Sequence, residues 1–107
     1  LVLQEVVYGR IAMADYSFDG RWLRNSSGQK MGEVDRNSVR AWNGARLGEI
    51  DRKNIRDARG KKVAEFDGKI IKDDLGNKLA SVQDIQKAID GDGGMVLAAM
   101  WYFFIKK

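Results

Sequence analysis

A chain of 107 residues with 44% apolar and 32% charged side chains is enough for one folded domain, too apolar to stay disordered and too short for separate catalytic and regulatory parts. It contains no cysteine, histidine or proline, which excludes disulfides, thiolate metal sites, cysteine nucleophiles and the histidine that most often serves as general base or metal ligand. Nineteen basic residues against 15 acidic ones leave a formal charge of +4, a mild basic bias with the two signs interleaved along the chain.

Gly28, Gly44, Gly60 and Gly76 stand sixteen residues apart, and self-similarity at a fixed period marks a repeat architecture. In chain order the copies read AMADYSFDGRWLRNSS from Ala12, the weakest, then GQKMGEVDRNSVRAWN from Gly28, GARLGEIDRKNIRDAR from Gly44, GKKVAEFDGKIIKDDL from Gly60 and GNKLASVQDIQKAIDG from Gly76. With columns counted from those glycines, column seven is always large and apolar (Phe18, Val34, Ile50, Phe66, Val82) and column five is small in four copies (Gly32, Gly48, Ala64, Ala80). Two positions apart on a strand, these columns share one face, where a small residue beside a large one lets neighbouring units approach closely. Column eight is Asp19, Asp35, Asp51 and Asp67, followed by Gly20 or Gly68 in two copies and by Arg-Asn or Arg-Lys in the others, all compatible with a tight turn. Column twelve is apolar again at Leu23, Val39, Ile55 and Ile71. Each unit therefore reads as strand, tight turn, strand, with the column-one glycine and a preceding Asn or Asp supplying the next turn.

Single hairpins are marginal in water, so the units must pack on one another. Short strands joined by tight turns favour a mainly β, radial or barrel-like array that limits exposed edges. One domain over 1–107 is expected, with units at 12–27, 28–43, 44–59, 60–75 and 76–91. The charged columns (Glu33, Glu49 and Glu65 in six; Lys30, Arg46, Lys62 and Lys78 in three; Arg24, Arg40, Arg56 and Lys72 in thirteen) read as cross-strand ion-pair ladders on a solvated face. Such pairs are worth roughly 0.2–1 kcal/mol each.

The last copy breaks down after Val82. There SVQDIQKAID places Val82, Ile85 and Ile89 on one helical face, with Ser81 and Asp84 as a capping box, which predicts a short helix over about 82–90. Gly91, Gly93 and Gly94 stop it, and the apolar run MVLAAMWYFFI over 95–105 follows before Lys106 and Lys107. A membrane-spanning helix needs about 20 apolar residues, so this run is too short to span a bilayer. The apolar columns alone bury too little to offset backbone ordering at about 1–2 kcal/mol per residue. Residues 95–105 are therefore expected to complete the core, with a remaining face as a candidate homodimer contact. The chain opens on Leu1 rather than methionine, so an upstream leader or anchor is left open, and localisation with it.

The stretch WNGARLGEIDRKNIRDARGKKVAEFDGKIIKDDLGNKLA, with its G-x-x-hydrophobic-[Gly/Ala] and turn-Asp columns, resembles the bacterial four-fold β-flower domain, and the similarity runs over residues 18–80. The resemblance implies a small pseudo-four-fold arrangement of hairpins, in a family without an established activity and with no catalytic residues to carry over. The copy from Ala12 departs from four-fold counting, so either it or the copy from Gly76 is expected to serve as a partial cap.

Catalytic chemistry finds few residues to work with. Ser17, Ser26, Ser27, Ser38 and Ser81 have no histidine to activate them. Asp73 with Asp74, and the column-eight aspartates, are the only carboxylates placed for acid–base work, and turn formation explains them better. The segment DGDGG over 90–94 resembles the opening of a calcium loop, yet Trp101 stands where that loop requires Glu. With no dinucleotide fingerprint or phosphate-binding loop, no cofactor or metal is expected. The reading leans away from an enzyme toward a binding, interaction or scaffold module, with Trp22, Trp42, Arg24, Arg40 and Arg56 as candidate partner-contact residues. The alternatives are a carboxylate-dependent hydrolase acting on carbohydrate, and a basic-surface nucleic-acid binder, the latter disfavoured by the regular acidic columns.

Overall fold

In an antiparallel meander every second turn falls on the same edge of the sheet, so a strand–turn–strand repeat sorts its own columns onto two edges and two faces. The computed structural model describes residues 14–91 and 94–106. Among them ten strands form one sheet: β1 (Tyr16–Phe18), β2 (Trp22–Asn25), β3 (Lys30–Asp35), β4 (Ser38–Ala41), β5 (Arg46–Asp51), β6 (Asn54–Asp57), β7 (Lys62–Phe66), β8 (Ile70–Asp73), β9 (Lys78–Ser81) and β10 (Ile89–Asp90). The strand order is β10-β1-β2-β3-β4-β5-β6-β7-β8-β9. Pairing is antiparallel throughout except between β10 and β1, which run parallel. The mainly β, hairpin-repeat reading holds, and the copy from Ala12 enters the structure as β1 and β2, its first two residues lying outside the described ones. The sheet is not closed by strand pairing: β9 and β10 are its two ends, joined through the helix α1 (Val82–Ala88).

Column twelve anchors the inner face. Leu23, Val39, Ile55 and Ile71 are fully buried, each worth roughly 1.5–3 kcal/mol. Val39 lies opposite Val34 of its own unit and Gly48 of the next; Ile55 lies likewise between Ile50 and Ala64. Columns seven and five thus flank column twelve on one face, as the repeat predicts. A bulge follows in every unit, where the register passes from column five directly to column three, as in Leu23 opposite Gly32 and Arg24 opposite Lys30. The skipped column-four residue is re-aimed, and Met31, Val63 and Leu79 pack against the core.

The turns are of two kinds and alternate between the edges. At the aspartate-turn edge the column-nine residue is left-handed in all four units: Gly20 and Gly68 in two, Arg36 and Arg52, with φ of 60° and 58°, in the others. Asp19 and Asp67 accept backbone N–H bonds from the second and third residues onward, at 2.7–2.9 Å. At the glycine-turn edge the column-fourteen side chains Asn25, Asp57 and Asp73 accept from the backbone two and four residues on. In the unit where that column is Ala41, Asn43 substitutes by accepting from Ala45 N–H.

The helix predicted over 82–90 forms as α1 with the capping box in place: the Asp84 N–H donates to Ser81 Oγ, and the Ser81 N–H to Asp84 Oδ2. It ends at Ala88, earlier than the spacing implies, because Ile89 and Asp90 turn extended to pair with Tyr16 and Ser17. Ile85 and Ile89 are nevertheless both buried.

Residues 95–105 form the second helix, α2 (Met95–Phe104), and they complete the core as expected. Leu97, Ala98, Ala99 and Met100 are at most 2% exposed. Successive helical residues point about 100° apart, so four in a row with no exposure mean that the helix is covered on every side at that level. Small column-five residues have a further use beyond the one the sequence suggests. Side chains at Gly32 and Gly48 would overlap the rings of Phe104 and Phe103, and one at Gly48 would also meet the Arg56 carbonyl of the paired strand, so these two glycines make room for α2 as well as for close strand approach.

Candidate functional site

The topology separates charges that look interleaved in sequence. At the glycine-turn edge, windows 24–30, 40–46, 56–62 and 72–78 carry ten basic residues against Asp57, Asp73 and Asp74. At the aspartate-turn edge, windows 17–21, 33–37, 49–53 and 65–69 carry five basic residues against seven acidic ones. The repeat therefore makes one edge strongly basic and the opposite edge weakly acidic.

α2 runs between these edges. Met95, Val96 and Leu97 line a groove of about 410 Å³ with Phe18, Asp19 and Gly20 at the aspartate-turn edge. Its other end lies toward the glycine turns, with Phe104 over Gly32 and Phe103 over Gly48. Burial pushes the Tyr102 hydroxyl above its ordinary range, and the carboxylates of Asp74, Asp73 and Asp57 add to that shift. The last turn of the helix, with Trp101, Tyr102, Phe103, Phe104 and Ile105 all half-buried against the core, is followed by exposed Lys106.

Of the five sequence-derived contact residues, four gather at this edge. Trp42 is 71% exposed and lines a shallow groove of about 440 Å³ with Asn25, Gln29, Lys30 and Met31. Arg24, Arg40 and Arg56 each donate from Nη1 to the carbonyl of the next unit's glycine, at 3.4, 3.1 and 3.1 Å. These arginines clip the turns instead of forming the expected ladder with column six, although Arg56 also pairs with Asp51. The glutamates find other partners: Glu33 pairs with Arg21, Glu49 with Arg46, and Glu65 with both Lys62 and Lys53. Trp22 stands apart on the outer face, half-buried, its ring 4.1 Å from Lys30 Nζ and 5.5 Å from Arg21 Cζ. The link between the two tryptophans is Lys30, which lies over one and lines the groove of the other.

Sequence reasoning missed Leu75, 81% exposed on the glycine-turn edge, and missed the segregation of charge. Summing charge by column rather than along the chain would have revealed the latter. Of the carboxylates considered for catalysis, Asp19, Asp51, Asp67 and Asp73 have structural partners. Asp19 and Asp67 lie in separate hairpin turns, each carboxyl held below the ordinary aspartate range by backbone N–H donors, chiefly Trp22 and Ile70 respectively. Asp73 is lowered likewise by the Asn77 N–H. Among the described residues no cluster of three or more acidic side chains is arranged to hold a metal ion; residues 92 and 93 of the calcium-like segment lie outside them. No helix of the described residues is long and apolar enough to cross a membrane.

No family model, curated protein or solved structure matches this chain.

Proposed function

We propose that this chain is a non-enzymatic binding or scaffold module that presents its glycine-turn edge to a partner. The observation that carries the reading is the gathering of ten basic residues on that edge, with Trp42 exposed among them, while the opposite edge is weakly acidic. A surface of one sign steers and orients an oppositely charged partner, and an exposed tryptophan offers a large amphipathic contact at low entropic cost. The hairpins and their turn clips form the rigid support such a surface needs. The radial arrangement implied by the likeness to the four-fold β-flower domain belongs to the same proposal. In it the sheet curls round α2 while α1 bridges β9 and β10, and the all-round burial of residues 97–100 supports it.

A photo-crosslinking amino acid placed singly at positions 42, 59 and 75, and for comparison at 36, 52 and 69, tests the reading in cells that make the protein. Crosslinks concentrated at the first set are expected. Equal or greater yield from the second set would remove the glycine-turn edge as the contact surface.

A further inference from the structure

We infer that the partner of the glycine-turn edge is the surface of an anionic lipid bilayer, into whose headgroup layer the exposed turn side chains Trp42 and Leu75 insert. This rests on the edge being the contact surface, and adds what it contacts. Four features converge there. α2 carries no charged residue over its whole length and ends in a run of large side chains that includes Trp101 and Tyr102, residue types that settle at membrane–water boundaries. Among the described residues the two large apolar side chains most exposed to solvent, Trp42 and Leu75, stand in turns of this same edge. Lys30 lines the groove of Trp42, the turn of Leu75 carries Lys72 and Lys78 against Asp73 and Asp74, and Lys106 follows the helix directly, its Nζ 5.2 Å from the centre of the Tyr102 ring. Finally, the ten residues of α2 amount to about 15 Å, and residues 97–100 are already enclosed by the domain. The helix therefore stays with the core, and what meets the interface is the pair of exposed turn side chains, not a span.

Nucleic acid fits this edge less well. A phosphate backbone would use the cations, and Trp42 would stack on a base, but Leu75 would gain nothing from a polar strand. A lipid surface uses both sets of side chains, apolar ones inserting and basic ones meeting headgroups, each basic residue near the surface adding roughly fivefold to partitioning.

The test is sedimentation of the full chain with phosphatidylcholine vesicles, with and without phosphatidylserine, at low and high salt. Binding only to the serine-containing vesicles, weakened by salt, is expected. The substitutions Arg59→Glu with Lys61→Glu should lower it by at least about 25-fold. Trp42→Ser with Leu75→Ser should lower it severalfold at unchanged charge, and Lys69→Glu on the opposite edge should not lower it. Failure to bind serine-containing vesicles overturns the inference. If crosslinks still concentrate at positions 42, 59 and 75, the edge reading stands and only the lipid falls; if they do not, both fall. Two outcomes would name the replacement: edge-dependent binding of a single-stranded oligonucleotide, or a homodimer in sedimentation equilibrium that Trp42→Ser with Leu75→Ser dissociates.

Discussion

The ring of Phe104 fills the space that a side chain on Gly32 would need. Adding one methyl group to a strand glycine ordinarily gains about 0.5–1 kcal/mol by restricting the unfolded chain. Here the added carbon meets an aromatic ring within a packed core, and overpacking costs about 1–3 kcal/mol. The second effect wins, so Gly32→Ala should destabilise the domain. Phe104→Ala alone also destabilises, by opening a cavity. Combining the two should cost less than the sum, with a coupling of about 0.5–3 kcal/mol. Urea midpoints of the four proteins decide the matter, and strict additivity would mean that the ring and the glycine do not share this space.

How far the fold was legible follows from the same pair. Columns five, seven and twelve announce their common face because strand periodicity is two, and Val34, Val39 and Ile50 lie on it as read. The size of column five is also visible, but its reason is not. The rings that need the space come from residues more than 50 positions later, and no local pattern encodes that contact. The bulge was illegible for a related reason: adjacent apolar residues at columns four and five, such as Met31 before Gly32, break the alternation without saying which one the ladder skips. At the edge, Trp42 and the three arginines were picked as contacts from residue type alone. The turn carbonyls to which those arginines donate lie only four residues on, a contact that residue type does not distinguish from an ion-pair ladder.

Arg36 and Arg52 occupy a left-handed turn position that Gly20 and Gly68 fill in the other units. A non-glycine residue there costs roughly 1–2 kcal/mol, while a glycine loses about 0.5–1 kcal/mol through the unfolded state. The difference favours glycine. Arg52→Gly should therefore raise stability by about 0.5–1 kcal/mol in chemical denaturation, with an unchanged slope. A loss would show that the Arg52 side chain makes a compensating contact in its turn.

Acid should loosen the turns before the core. The carboxyls of Asp19, Asp57, Asp67 and Asp73 all titrate below their ordinary value of 3.8, held down chiefly by backbone N–H donors at Trp22, Lys61, Ile70 and Asn77. Glu65 is lowered too, first by its hydrogen bond from Lys62. A depressed folded value means that the folded state holds its proton less readily than the unfolded one. The stabilisation is complete above the ordinary value, and it is lost as pH falls through that value toward the lower, folded one. Urea midpoints should thus be flat with respect to these groups near neutrality and decline below about pH 4. Asp19→Asn with Asp67→Asn keeps an acceptor oxygen in each turn and should flatten part of that decline. An identical acid profile in this variant would assign the pH dependence elsewhere.

Ser81 controls whether the chain can return to β1. The seven residues of α1 are too few to form a stable helix alone, so the segment depends on its cap and on buried Ile85. Ser81 Oγ accepts from the Asp84 N–H at 3.1 Å, while the Ser81 N–H and hydroxyl both donate to Asp84 Oδ2. Ser81→Ala removes the first and third of these bonds and should cost about 0.5–2 kcal/mol. Because α1 is the connection that brings Ile89 and Asp90 to Tyr16 and Ser17, the loss should not spread evenly. Amide exchange should accelerate first in α1, β10 and β1, ahead of the hairpins from β3 to β8, since local opening draws on the weakest cooperative unit. Ser81→Thr, which retains an acceptor oxygen, should restore most of the protection. Uniform acceleration across all strands would instead mean that α1 and β10 unfold only with the whole sheet.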